Sequence, residues 1–393
     1  MLSVVEQERL QLSKTTEAKK KSQFGQFLTP ESTAAFMAGL FPDDTGHCHL
    51  LDAGAGIGSL SAAFLNRWRS GGFHFQSVEV DAFELDHVLG PHLSRTFGKY
   101  NHRGDFTANI YEEDFIHVAV ESLSGNPFFI TLEGYTHAIL NPPYKKINSN
   151  SAHRLALRRV GIETVNLYSA FVSLAVALAA PGGQIVAIVP RSFCNGPYYR
   201  PFRDFILERV AIRHIHLFES RSKAFRDDEV LQENIIIRLE RGGQQGPVVI
   251  SNSTDDTFTD SATHEHQFER IVFPDDSERF IHVPTSSAKN SIELSPAICH
   301  TLTDLGISVS TGPVVDFRLK EYLHDMPGMD TVPLLYPCHF SSKGTTWPIE
   351  GMKKPNAIAY NTDTEKWLYC NDTCCCGAAR TPATRLSVLL VMT

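Results

Sequence analysis

Apolar positions along the chain alternate between two periods. "HLLDAGAGIG" is a short apolar run closed by glycines, and "SLSAAFLNRWRS" follows with apolar residues three and four apart. The first pattern predicts a strand and the second an amphipathic helix. The alternation then repeats. "FHFQSVEVD" reads as a strand ending in acid, "AFELDHVLGPHLSRTF" as a helix, and "FTANIYEEDFI" as another strand ending in acid. "YTHAILNPPY" is a fourth strand, "LYSAFVSLAVALA" a helix and "GGQIVAIVPRSF" a further strand, with "FRDFILERVAIRHIHLF" and "ENIIIRLER" supplying one more helix and more strands. Strands and helices alternating at these lengths predict an α/β domain built on a doubly wound, mostly parallel sheet. Ligands of such sheets sit outside the carboxyl ends of the strands. The glycine turn, both acidic ends and the corner at Pro142 and Pro143 are all expected at those ends.

The flanks read differently. Residues 1–23 are mostly one polar helix that runs into lysines. Thr29 is placed to cap a following helix with Pro30 at its first position, and Ser32 offers a second cap. The catalytic domain is expected over 24–242. After Gly242 the chain turns polar and turn-rich, so 243–290 reads as a linker or irregular edge, and 291–393 as a second unit of short strands and many prolines.

Composition narrows the function classes. A chain of 393 residues has room for two domains. The net charge of −8 means that any nucleic-acid surface must be a local basic patch. No apolar run reaches the roughly 18 residues of a membrane span. "AFVSLAVALAA" stops at Pro181-Gly182-Gly183, and the charged N-terminal stretch has no apolar core of a signal peptide. Eight cysteines, five scattered and three bunched at Cys374 to Cys376, suggest no disulfide framework, which points to the reducing cytoplasm. The 17 histidines lack metal-ligand spacing, so no metal is expected.

Candidate chemistry gathers at the strand ends. "DAGAGIG" places Gly54, Gly56 and Gly58 in a strand-to-helix turn, where glycine lets the backbone approach a nucleotide. G-x-G-x-G after Asp52 suits an adenosyl cofactor. A dinucleotide-binding turn and a plain tight turn are the rivals. Glu79, about 20 residues on, is favoured to accept the ribose hydroxyls, with Asp81 read as structural. Asp114 is a candidate acceptor for the exocyclic amine of the cofactor's adenine, in competition with Glu112 and Glu113. In "ILNPPYKKI", Pro142 and Pro143 fix the backbone beside Asn141. The Asn141 amide oxygen and a nearby backbone carbonyl can accept both hydrogens of a substrate amine. That frees the nitrogen lone pair to attack a methyl group, and the bonds strengthen towards the transition state. Tyr144 offers a flat face for a base. Lys145 and Lys146 either touch phosphate or are solvated.

These motifs, in this order from Phe24 to Leu239, resemble the gamma-class DNA adenine-N6 methyltransferases of bacterial restriction–modification systems. The resemblance implies a Rossmann-like class I fold that uses S-adenosylmethionine. "GQFLTP" then implies cofactor contacts at Gln26, Thr29 and Pro30, "DAGAGIG" contacts at Asp52, Gly54 and Gly56, "VEVD" the ribose acid Glu79, and "EEDF" the adenine-contacting Asp114. "NPPY", Asn141 to Tyr144, is the catalytic motif. "ESRSKAFRDDEVLQENIII" is similar to the motif whose aromatic packs on the flipped base, which points to Phe225, while "VSTGPVVDFR" resembles the start of a target-recognition region. Lys145 joins Phe225 as a substrate contact. The implied partners are double-stranded DNA and a cognate restriction endonuclease acting on the same site. "CNDTCCCGAARTPATRLSVLLVMT" departs from the pattern, with no periodicity of a recognition-domain strand, and suggests a truncated or frame-altered recognition domain. Two rival readings are a protein glutamine N5-methyltransferase and a catalytically inactive DNA-binding or partner subunit.

Overall fold

The computed structural model describes residues 2–15, 28–101, 104–218, 233–285, 307–311, 314–341, 344–368, 373–377 and 388–392. The chain divides into two compact units, residues 1–288 and 289–393.

The first unit is built on nine strands: β1 (Thr45–Ala53), β2 (His74–Phe83), β3 (Phe106–Tyr111), β4 (Tyr135–Leu140), β5 (Ala179–Pro190), β6 (Val210–Phe218), β7 (Asn234–Arg241), β8 (Val248–Ser253) and β9 (Ala262–His266). They form one sheet in the order β3-β2-β1-β4-β5-β7-β6-β8-β9. Strands β1 to β5 pair in parallel. β7 runs antiparallel between β5 and β6. The chain winds outward from β1 to β3 and then returns to place β4 on the other side of β1. That reversal opens a crevice at the carboxyl ends of β1 and β4. The glycine turn follows β1 and the Asn-Pro-Pro-Tyr corner follows β4, so topology alone brings the two motifs together.

Among the described residues, eight helices flank the sheet: α1 (Leu2–Thr15), α2 (Glu31–Gly39), α3 (Ser59–Arg69), α4 (Gly90–Gly98), α5 (Phe115–Leu123), α6 (Ala152–Arg159), α7 (Leu167–Leu178) and α8 (Arg200–Arg209). Strand periodicity divides the core into two layers. Ala138, Leu140, Ile185, Ala187 and Val189 pack with α5, α7 and α8. Their alternates Ile139, Val186 and Ile188 pack with α2, α3 and α4 on the opposite face. This is the α/β architecture with a doubly wound, mostly parallel sheet that the alternation predicts.

Three details differ from the sequence expectation. The segment after Gly242, read as a linker or irregular edge, contributes β8 and β9 to the sheet. It is further pinned by the buried Arg203, whose guanidinium donates to the carbonyls of Phe193, Gly196 and Glu278. Thr29 does not cap α2. Pro30 occupies the cap position, and Glu6 of α1 accepts the Glu31 N–H at 3.1 Å. The part of the predicted first helix beyond Thr15 lies outside the described residues.

The second unit holds a three-stranded sheet of β10 (Ile307–Thr311), β11 (Thr373–Gly377) and β12 (Val388–Met392), with β12 in the middle. Its last two strands fall in the stretch expected to contain none. "VLLVM" is apolar throughout, so it shows no alternation even though it pairs on both sides. A buried Asn356 ties the unit's loops together, accepting from the Ile349 N–H and donating to the Asp325 and Ile349 carbonyls. Among the described residues, no helix is long and apolar enough to cross a membrane.

Candidate active site

The loop after β1 is fastened from several directions. The Gly54 and Ala55 N–H groups both donate to the Phe83 carbonyl at the end of β2, each at 2.9 Å. Gly58, at φ +83°, opens α3, and a side chain there would come within 2.9 Å of Leu93 on α4. Gly54 has φ +79°, and a Cβ on it would stand 3.9 Å from the Asn141 carbonyl oxygen. Glycine is favoured there by the positive φ, which places the loop backbone beside the Asn141 corner.

The carboxylate at the end of β2 is Glu84. It is 2% exposed, accepts the Gly56 N–H at 2.8 Å through one oxygen and accepts the Asp86 N–H at 2.7 Å through the other. Glu79, the expected ribose acid, is displaced from that place because β2 continues through Phe83. Glu79 lies inside the strand opposite Thr107, is exposed, and accepts from Asn109 at 3.0 Å. Asp81 is buried beside it. Burial alone would raise its pKa, but hydrogen bonds with His49, Asn109 and Tyr135 outweigh that and hold it below the ordinary value. His49, Glu79 and Asp81 bring ligand atoms within 4.8 Å of one another, the one such group among the described residues.

Asp52 ends fully buried. Its Oδ2 accepts from the Ser61 hydroxyl at 2.5 Å, and its Oδ1 has no hydrogen-bond partner. Burial, reinforced by the nearby Glu84 charge, pushes its pKa up to about 7 against the opposing pull of Ser61. Asp114 caps α5, accepting the Ile116 N–H at 2.9 Å, and its other oxygen meets His153 Nε2 of α6 at 2.6 Å. Burial would raise the Asp114 pKa, but His153 and the helix N–H groups lower it, while Asp114 raises that of His153. The competitor Glu112 is engaged by His87 at 2.8 Å.

Asn141 stands at the end of β4. Its Nδ2 donates to the Thr29 hydroxyl at 2.9 Å, and its Oδ1 lies 3.2 Å from the Tyr144 hydroxyl. That hydroxyl is also 3.2 Å from the Ile188 carbonyl. The Tyr144 ring is half-buried and meets Tyr168 edge-on, and burial raises its pKa above the ordinary phenol value. The phenol is therefore neutral near pH 7.

A cavity of about 320 Å³ joins these groups. Gly54, Gly56, Asp114, Asn141, Pro143 and Lys145 line it together with Glu113, while Phe83, Phe115 and Phe171 supply apolar walls. Thr29 and Tyr144 touch the lining residue Asn141, and Asp52 lies behind the loop near Glu84. Pro30 serves as the α2 cap. Gln26 and Phe225 lie outside the described residues. The sequence reading did not single out the polar lining residues Glu84 and His153 or the apolar walls, Phe171 among them. Glu84 had a signal, since the alternation Val78-Glu79-Val80-Asp81-Ala82-Phe83 continues past the first acids. Nothing in the local sequence marks His153.

Comparison with known proteins agrees with this architecture. Residues 74–225 match the family model of the Eco57I restriction-modification methylase. The chain is 50% identical over 374 residues to the type II methyltransferase M.BsuBI of Bacillus subtilis, covering 94% of this chain and 74% of that protein. It is 39% identical over 358 residues to the type II methyltransferase M.PstI of Providencia stuartii, covering 89% and 70% respectively. Among solved structures, a modification subunit of a putative type I restriction enzyme from Vibrio vulnificus shares the fold. Its TM-score is 0.53 at 13% identity, with 74% of this chain and 66% of that one covered.

Proposed function

The chain belongs to the type II DNA methyltransferases of restriction–modification systems, and from that premise we propose that it methylates the N6 of an adenine flipped out of double-stranded DNA. The methyl donor is S-adenosylmethionine. The observation that carries the reading is the Asn141 amide, which opens on the same cavity as the glycine loop.

The residues present fit the cofactor. Gly54 leaves space that a side chain would narrow, and Glu84 holds a carboxylate rigidly at the end of β2. When bound, S-adenosylmethionine supplies a methyl group on a positively charged sulfur. Glu84 is assigned to the ribose hydroxyls in place of Glu79. Asp114 is assigned to the cofactor's adenine amine, sharing one oxygen with His153. The apolar walls at Phe83, Phe115 and Phe171 exclude water, which strengthens every polar contact inside.

On the substrate side, Asn141 Oδ1 and the Pro142 carbonyl accept the two N–H groups of the target amine. The amine nitrogen then keeps its lone pair for the methyl rather than sharing it with the ring. No strong base is required, because the nitrogen becomes cationic on methylation and then loses its proton to water. A phenol held neutral by burial, as at Tyr144, fits a stacking or hydrogen-bonding role rather than that of a base. Tyr144 and Phe225 are assigned to the two faces of the flipped base, which costs a few kcal/mol to unstack. Lys145, exposed on the cavity lining, is assigned to phosphate. Residues 291–393 are assigned to target recognition, and a separate endonuclease cutting the same sequence is the expected counterpart in the system.

Incubating mixed-sequence DNA with the protein and labelled cofactor, then separating the nucleosides, tests the reading. Label in N6-methyladenine is expected. Label in a cytosine product, in protein glutamine or in nothing would overturn it.

A further inference from the structure

The oxygen and NH2 of an asparagine amide have nearly the same size, so shape alone permits two orientations half a turn apart. Only one of them offers an acceptor to a substrate amine. The other sets N–H against N–H. The rigid Pro142-Pro143 backbone cannot tell the two apart, because it fixes where the amide sits and not which end is which.

Among the described residues, the Tyr144 and Thr29 side chains touch the Asn141 amide. The Tyr144 hydroxyl has one proton and two acceptors at 3.2 Å, Asn141 Oδ1 and the Ile188 carbonyl, so it is a shared contact. The Thr29 hydroxyl is the closer one, accepting from Nδ2 at 2.9 Å. Thr29 is 4% exposed and 112 residues distant in sequence. It is not needed at the start of α2, where Pro30 holds the cap position and Glu6 accepts the Glu31 N–H. Its neighbour Leu28 lines the cavity, so one short segment both borders the cofactor space and grips the amide.

We propose that Thr29 is a positioning residue for methyl transfer: its hydroxyl, accepting from Nδ2, pins the Asn141 side chain in the rotamer that presents Oδ1 to the target amine. This gives Thr29 a task different from the cofactor contact that the family resemblance implies. It rests on the reading of Asn141 as the amine acceptor.

The test uses the full chain with Thr29→Val, which keeps the shape and removes the acceptor, and Thr29→Ser, which keeps the hydroxyl. Misaimed reacting groups cost up to about 100-fold in rate. Thr29→Val should lower kcat on that scale at saturating cofactor, with cofactor Kd by calorimetry within about twofold of wild type. Thr29→Ser should restore most of kcat. In an Asn141→Ala background, Thr29→Val should cost nothing more. Two results would overturn the proposal: weakened cofactor binding with kcat intact, or equal losses in both variants that merely follow the folded fraction. A cycle of denaturant melts on Thr29→Val, Asn141→Ala and the double variant needs no activity. Additive losses there mean that the bond is absent and the proposal fails, and non-additive losses support it. If wild-type protein methylates no base, the functional reading fails, and the melts still decide on the bond.

Discussion

The two sides of the cavity are built by different means. On the cofactor side, the glycine loop is fastened mainly by backbone, two N–H groups on the Phe83 carbonyl, with one side chain, the buried Glu84, accepting the Gly56 N–H. On the substrate side, the Asn141 amide meets side chains, the distant Thr29 and Tyr144 of the same corner. A backbone-built surface keeps its shape when one side chain is changed, whereas a side-chain-built one is set by single substitutions. Changes at the Asn141 corner should therefore alter catalysis and spare cofactor binding. Changes at Glu84 should do the reverse.

Asn141→Ala should have the largest effect. Removing a preorganised acceptor that strengthens towards the transition state costs about 100–1000-fold in kcat. Here the amide proposed to accept the substrate amine is itself removed, so the upper end or a complete loss is expected. Cofactor affinity by calorimetry should stay within about twofold. A parallel fall in affinity would mean that the two sides are not separable.

Glu84→Ala comes next, with Glu79→Ala as its control. Losing a charge-assisted acceptor should weaken cofactor binding by about 1.5–3 kcal/mol. Glu79→Ala should leave it unchanged, because Glu79 lies inside β2 and outside the cavity lining. The opposite ranking in calorimetry would return the ribose role to Glu79.

Asp52 sharpens the comparison through pH. Its pKa is raised from 3.8 to about 7 in the fold, so the unfolded chain releases this proton first as pH rises. The stability it contributes is fully present below pH 3.8 and is lost as pH climbs to about 7. Each unit of that climb costs at most about 1.4 kcal/mol. Asp52→Asn cannot ionise, so its stability in urea melts should gain on wild type across that window. Curves that stay parallel would mean that Asp52 is not held protonated. The smallest effect is expected from Tyr144→Phe, which keeps the ring and drops one shared hydrogen bond. Single-turnover rates should fall by less than about tenfold, and a larger loss would give the hydroxyl a chemical role.

Legibility in the sequence follows the range of the interaction. The glycine turn and the Asn-Pro-Pro-Tyr corner could be read because turn chemistry is local. The alternation of strands and helices could be read because the pleat and the helix each impose a period. Glu84 was missed where the strand end was placed at the first acids, although Val78, Val80 and Ala82 continue the buried face through β2. Thr29 was misplaced because its role depends on Glu6, 25 residues from Glu31, taking over the helix cap. His153 meets Asp114 across 39 residues, a pairing that no local pattern announces. β8 and β9 were hidden by the polar turns around them, since six residues or fewer give periodicity little to work with.

The central claim is that a single cavity holds the cofactor against Glu84 and faces the acceptor at Asn141. A co-crystal with S-adenosylhomocysteine tests it most directly. The account predicts the ribose hydroxyls on the Glu84 carboxylate, the nucleoside between the glycine loop and the Phe115–Phe171 wall, and the sulfur turned towards Asn141. Ribose on Glu79, or a nucleoside bound outside this cavity, would contradict it.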